Sequence, residues 1–248
     1  MSEIGNARGK VISSCYRCDR PATSREHFPP KAFFPRGGNL QLKTVPSCAI
    51  HNNGKSKDDL YLLTHISINA GSGENLPKKI FTRSILPSLK RSPAFRAALL
   101  EGAEWLSGGA RRYPVELSRF DDFFDGFVSA VYFDRYGSRF NDRTHRLRHV
   151  YISLESDDPF HQAAVTAAKS LTQGFFDKNA EMVSHFEAAK IDEVVYANSI
   201  MDPCGPDASI TIAHVFYGVF RVVSYLTLRM PWEREVIFGR KQETYQTE

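Results

Sequence analysis

The chain has 248 residues, 42% of them hydrophobic, and a formal charge of +4. That composition belongs to a folded protein of one large or two small domains with a mildly basic surface, and the sequence shows no repeat, heptad run or low-complexity tract. Three of the four cysteines fall in one ligand-like pattern, so a disulfide framework is not expected and a reducing, cytoplasmic setting is.

Residues 1–13 are polar and short of apolar anchors, without the apolar core of a signal peptide. The longest apolar stretch near the C-terminus is interrupted by Arg221, so no membrane span is expected. The first knuckle is Cys15-x-x-Cys18. From Thr23 to Leu42 the Pro, Gly and aromatic content predicts two short strands joined by a wide loop, with a turn at Gly37-Gly38 and a polar–apolar alternation over Asn39-Leu40-Gln41-Leu42. Ser47 is a candidate N-cap for a helix starting at Cys48 and running through Leu60, Leu62, Leu63 and Ile66, with Gly54 as its weak point. Residues 69–79 break that helix and predict a linker.

The remainder predicts a second module. Helical segments interrupted by Pro87 and Pro93 occupy 80–106, and Gly108-Gly109 marks a loop. Leu117, Phe120, Phe124, Phe127, Val128 and Val131 fall at helical spacing over 117–136, with Gly137 as the stop. A β-rich stretch over 148–154 and a helix over 159–176 follow, then strands over 193–200, 208–216 and 219–228, the last two separated by Tyr217-Gly218. Helices followed by consecutive strands imply a small antiparallel α+β module.

The chemistry concentrates in residues 15–55. Cys15-x-x-Cys18 and Cys48-x-x-His51 each carry the two-residue gap that presents two soft ligands to one tetrahedral ion, a zinc-site spacing. Cys48, His51, Asn52 and Lys55 stand at i, i+3, i+4 and i+7, along one face of the predicted helix. Between the two pairs lies a carboxylate beside an imidazole, Glu26-His27.

In order and spacing, Cys15-x-x-Cys18, Glu26-His27 with Pro29 and Pro30, Gly37-Gly38, Asn39-Leu40 and Cys48-x-x-His51-Asn52-x-x-Lys55 resemble the HNH family of metal-dependent nucleases. The chain departs from the family pattern at Glu26, which replaces the usual Asp, at His51, which replaces a Cys, and at Asn52, which stands where many members carry His. The match covers about one fifth of the chain. The resemblance implies an α+β protein with an N-terminal zinc-stabilised ββα-metal module over 1–75, and leaves a helical region and small antiparallel α+β module over 76–248 without an assigned role.

It also implies roles. His27 is the general base, Asn39 orients its loop, and Glu26 and Asn52 hold a catalytic Mg²⁺ or Mn²⁺. Lys55, Arg25 and Lys31 contact phosphate, and Cys15, Cys18, Cys48 and His51 hold a structural zinc. His51 could instead serve the catalytic metal, and Asn53 could replace Asn52; Asp58 and Asp59 read more readily as a solvated face. The substrate implied is DNA, with RNA not distinguished, in a setting such as bacterial restriction or phage defence. Paired cutting would favour a homodimer, for which Trp105 and Phe123 are candidate interface residues. A zinc-stabilised module that binds nucleic acid or protein without catalysis is the alternative. The remaining histidines and the basic residues of 78–96 read as ordinary core or solvated positions.

Overall fold

A computed structural model describes residues 14–35, 42–53, 56–71, 75–173, 183–187, 193–205 and 208–230. The chain is a mixed α+β structure with helices and small antiparallel sheets. β1 (Ser24–His27) and β2 (Thr44–Ser47) pair antiparallel, with Glu26 opposite Val45 and His27 opposite Thr44. Two strands of four residues are marginal alone, and two further features hold them. The first knuckle is tied to β2 by Tyr16 N donating to Pro46 O (2.8 Å), and α1 (Ala49–Asn53) packs on β1.

The helix predicted to start at Cys48 is two helices, α1 and α2 (Ser56–Ala70), with Gly54 and Lys55 outside the described residues. Ser47 is not an N-cap. It ends β2, and its Oγ donates to Cys48 O. The predicted linker shrinks as well: α2 runs to Ala70, and α3 (Leu76–Ile80) starts from Asn75, whose side chain accepts from Lys78 N. A π-turn over Phe81–Ile85 carries the chain into α4 (Leu86–Arg91). Ser92 then caps α5 (Pro93–Leu100), with Pro93 at a first-turn position where its missing N–H costs nothing. β3 (Glu104–Trp105) and β4 (Arg111–Arg112) form a short hairpin around Gly108 and Gly109, both at positive φ.

α6 (Leu117–Tyr136) matches its prediction to the residue and stops where Gly137 takes a left-handed conformation. β5 (His145–Tyr151) and α7 (Pro159–Thr172) follow. β6 (Val183–Glu187), β7 (Val194–Met201), β8 (Ile210–Phe216) and β9 (Phe220–Leu228) complete an antiparallel sheet in the order β5-β9-β8-β7-β6. Of these strands, β6 has no counterpart in the sequence reading.

α6 lies on this sheet. Phe124 packs on Tyr151 and Phe216, and Phe127 packs on Tyr196 and Phe216. Burying each such ring is worth about 2–3 kcal/mol. The same hydrophobic cluster continues through Leu62, Leu63 and Ile66 of α2 to Phe33, Val45 and Cys48, so one core spans both sides of the predicted boundary at residue 75. Tyr217, at the β8–β9 turn, has φ 53, an uncommon conformation for a side chain of that size. Its buried hydroxyl donates to Phe33 O (2.8 Å) and links the sheet to the loop after β1. Phe123 is buried, which removes it as an interface residue, whereas Trp105 is 72% exposed under the Arg111 guanidinium. Among the described residues no helix is long and apolar enough to cross a membrane.

Candidate metal centre and adjoining carboxylate–histidine cavity

The knuckle, the end of β2 and the first turn of α1 bring four ligands together. Cys15 Sγ and Cys48 Sγ lie 3.3 and 3.5 Å from His51 Nδ1, and Cys18 Sγ lies 3.8 Å from Cys48 Sγ. All four ligand atoms fall within 4.8 Å of one another. A tetrahedral ion with metal–sulfur and metal–nitrogen bonds of about 2.3 and 2.0 Å gives S···S and S···N edges of about 3.8 and 3.5 Å. The cluster therefore has the size and donor chemistry of a closed Cys₃His metal site compatible with structural zinc. His51 is one of its four members. Among the described residues this is the one group of three or more His, Cys, Asp and Glu ligands gathered closely enough to hold a metal.

Next to this centre, Glu26, His27 and Asp59 line a cavity of about 10 Å³ together with Tyr16 and the α6 residues Phe123 and Phe127. That is room for about one water-sized species. The polar groups arrive from three places in the chain: Glu26 and His27 from β1, Asp59 from the first turn of α2, and Tyr16 from between the first two cysteines. Strand alternation sets Glu26, 8% exposed, apart from both neighbours: Arg25 turns outward and donates to Thr44 Oγ1 (2.6 Å) and Thr44 O (2.9 Å), and His27 borders the cavity from the end of β1. Burial lowers the His27 pKa below the ordinary imidazole value, helped by the positive charges of Lys31 and Arg25. The ring is therefore neutral at neutral pH, with a lone pair available to take a proton. Burial pushes the Tyr16 phenol well up, and the Glu26 charge adds to it, so Tyr16 stays protonated.

The structure gathers some of the sequence-derived site residues and separates others. Glu26 and His27 share the cavity. Asn52 does not line it; its Nδ2 donates to Ser24 Oγ (2.8 Å), which in turn donates to Ser47 O (3.1 Å), bracing α1 against both strands. Asp58 is taken by Arg119 at 2.8 Å, while Asp59 turns to the cavity. Lys31 is exposed in a turn of 3₁₀ helix four residues beyond His27. Asn39, Lys55 and the Gly37-Gly38 turn lie outside the described residues.

Sequence reading missed Asp59 and Tyr16 as cavity residues. Asp59 stands seven residues beyond Asn52, an interval that keeps one helix face, so extending the Cys48–Lys55 series by one step would have reached it. Nothing in a Cys-x-x-Cys pair marks which intervening side chain turns inward, and Tyr16 had no such signal. Comparison with known protein families, with curated proteins and with solved structures found no match.

Proposed function

We propose that the protein is a metal-dependent endonuclease of the HNH type that hydrolyses DNA phosphodiester bonds. The observation that carries this reading is the convergence of Glu26, His27 and Asp59 on one small cavity beside a strand–strand–helix unit that a Cys₃His centre pins together. In this reading Cys15, Cys18, Cys48 and His51 hold a structural zinc, with no position left open for water. His27 takes the proton of the attacking water, a role suited to an imidazole held neutral.

The carboxylates of Glu26 and Asp59 provide the hard oxygen donors that suit Mg²⁺ or Mn²⁺, and Asn52 becomes a brace instead of a ligand. A cation held there would supply Lewis acidity at the scissile phosphate and the leaving oxygen. Arg25 and Lys31, on either side of His27 in the sequence, are placed to attract phosphate as well as to keep the imidazole neutral.

The test is plasmid DNA cleavage with Mg²⁺ or Mn²⁺ by the wild type and by His27→Ala, after both are shown to hold zinc and to fold alike. We expect divalent-dependent nicking or linearisation, reduced about 10²- to 10⁴-fold in the variant. Absence of cleavage of DNA and RNA by the wild type would sink the proposal. It would favour a zinc-stabilised binding module, a reading to which the engagement of Asn52 by Ser24 already lends weight.

A further inference from the structure

Tyr16 also lines a second, larger cavity of about 350 Å³ that the nuclease reading leaves unused. Four arginines line it: Arg17 from the first knuckle, Arg139 from the loop after α6, Arg146 from β5 and Arg229 from the end of β9. All four are half-buried. Two carboxylates share the lining, Asp125 and Asp142. Asp125 accepts from His149 Nε2 (3.0 Å). Arg139 is paired with Asp19 on the knuckle, and Arg229 Nε donates to the backbone carbonyls of Asp142 (3.0 Å) and His145 (2.9 Å), which fixes the base of its side chain. Arg17 and Arg229 have no carboxylate partner among the described residues.

A buried histidine also borders the cleft. His145, also on the cleft wall, is 5% exposed, and its Nε2 is buried without a hydrogen-bond partner among the described residues. Its Nδ1 is already satisfied by Thr144 Oγ1 (2.9 Å) and Asn141 O (3.3 Å). With Nδ1 the donor to that carbonyl, Nε2 of the neutral ring is an acceptor, which a water O–H can meet and a phosphate oxygen cannot, so His145 walls the cleft without holding phosphate.

We infer that this arginine cleft binds the phosphate backbone of the nucleic acid presented to the Glu26–His27 cavity. Planar guanidinium groups match phosphate oxygens, an excess of cations attracts a polyanion, and Tyr16 lines both cavities, so a strand seated in the cleft lies directly against the candidate reaction centre. The cleft also gives residues 139–146 and 229 a role: they supply most of the binding surface, and the knuckle supplies Arg17. The choice of nucleic acid as ligand rests on the nuclease reading.

The experiment is fluorescence anisotropy with a short labelled DNA duplex, without divalent cations so that nothing is cut, across a series of salt concentrations. Arg17→Glu with Arg146→Glu is compared with Lys90→Glu and Arg91→Glu, which make the same change in net charge on α4. The cleft pair should weaken binding at least about tenfold and flatten the log–log salt dependence by about 1.8, the value for two lost phosphate contacts. The α4 pair should leave the slope unchanged.

Because Arg17 sits between two metal ligands, Arg146→Glu alone, with zinc content measured, keeps the test open if the double variant folds poorly; it should remove about half of that slope. Wild-type affinity in Arg146→Glu, or an equal loss in the α4 pair, overturns the cleft. DNA binding that depends on Arg146 without cleavage sinks the nuclease and leaves the cleft standing. Cleavage untouched by the cleft reversals does the opposite.

Discussion

Two groups of polar side chains sit against α6, and they differ in whether they border a space. Under the helix, against the sheet, runs a continuous chain: Tyr196 hydroxyl to His214 Nδ1 (2.7 Å), His214 Nε2 to Ser224 Oγ (3.1 Å), Ser224 Oγ to His149 Nδ1 (2.8 Å), and His149 Nε2 to Asp125 (3.0 Å). Burial holds the His214 pKa down to about 3, so that ring is neutral. With His214 neutral, one direction satisfies every link: Tyr196 donates to His214, His214 to Ser224, Ser224 to His149, and His149 to Asp125.

By residue type this chain contains an Asp–His–Ser series, the constellation of a hydrolytic triad. Ser224, however, is fully buried, and its oxygen is already both donor and acceptor. The group near the knuckle holds a less familiar set, yet its Glu26, His27 and Asp59 face a cavity. Whether a group lines a space or completes a closed circuit separates a candidate site from a structural network better than residue identity does.

The metal centre should show the largest effect, because everything near His27 hangs from it. Cys48→Ala removes one of the four members of the candidate metal site beside a hairpin too short to persist alone. Structural zinc sites carry on the order of 10 kcal/mol or more of binding energy that is also folding energy. We expect the variant to purify without stoichiometric metal and to lose cooperative thermal unfolding. A variant that melts like the wild type would show that the hydrophobic core alone holds the knuckle.

Next in size is a direct comparison of the two polar groups. Ser224→Ala strands two buried ring nitrogens at once, those of His149 and His214, and should cost about 3 kcal/mol in urea denaturation. His27→Ala truncates a half-buried ring at a cavity edge and should cost about 1 kcal/mol or less while removing cleavage. Reversal of that order would mean that the cavity group is structural and the chain under α6 is not.

How far each region could be read from sequence follows the same division. The sheet half announced its elements through periodicity: the phenylalanine spacing of α6, the glycine that ends it and the Tyr217-Gly218 turn all carried local signals. Its polar chain carried none, since His149, His214 and Ser224 meet only through cross-strand register, His149 opposite Ser224 and Ser224 opposite Ile212. The knuckle half was legible in its ligands and poorly legible in its elements. Two-residue gaps pick out all four members of the Cys₃His cluster, whereas Ser47 ends a strand where its small polar side chain reads equally as an N-cap. Asp59 was passed over because an acidic pair at a helix start is usually solvated, and only the packing of α2 against α6 sends one carboxylate to Arg119 and the other inward.

The smallest effect we would measure concerns protons. His65 packs between Tyr61 (4.4 Å) and Phe120 (6.0 Å), and burial, with Arg119 nearby, holds its pKa down to about 4. A histidine depressed in the fold binds its proton first in the unfolded chain, whose imidazole titrates near ~6.5. Its stabilising contribution is therefore complete above that value and is lost as pH falls below it. Between pH 7 and pH 5 this amounts to about 2 kcal/mol for His65, and to a similar amount for the neutral His214. His65→Phe keeps a ring against Tyr61 and Phe120 and removes the proton site, so the stability lost between pH 7 and pH 5 should shrink by about 2 kcal/mol while the His214 part persists. An unchanged pH dependence in this variant would mean that His65 accepts its proton within the fold, and that the aromatic pocket between α2 and α6 is not as dry as its burial indicates.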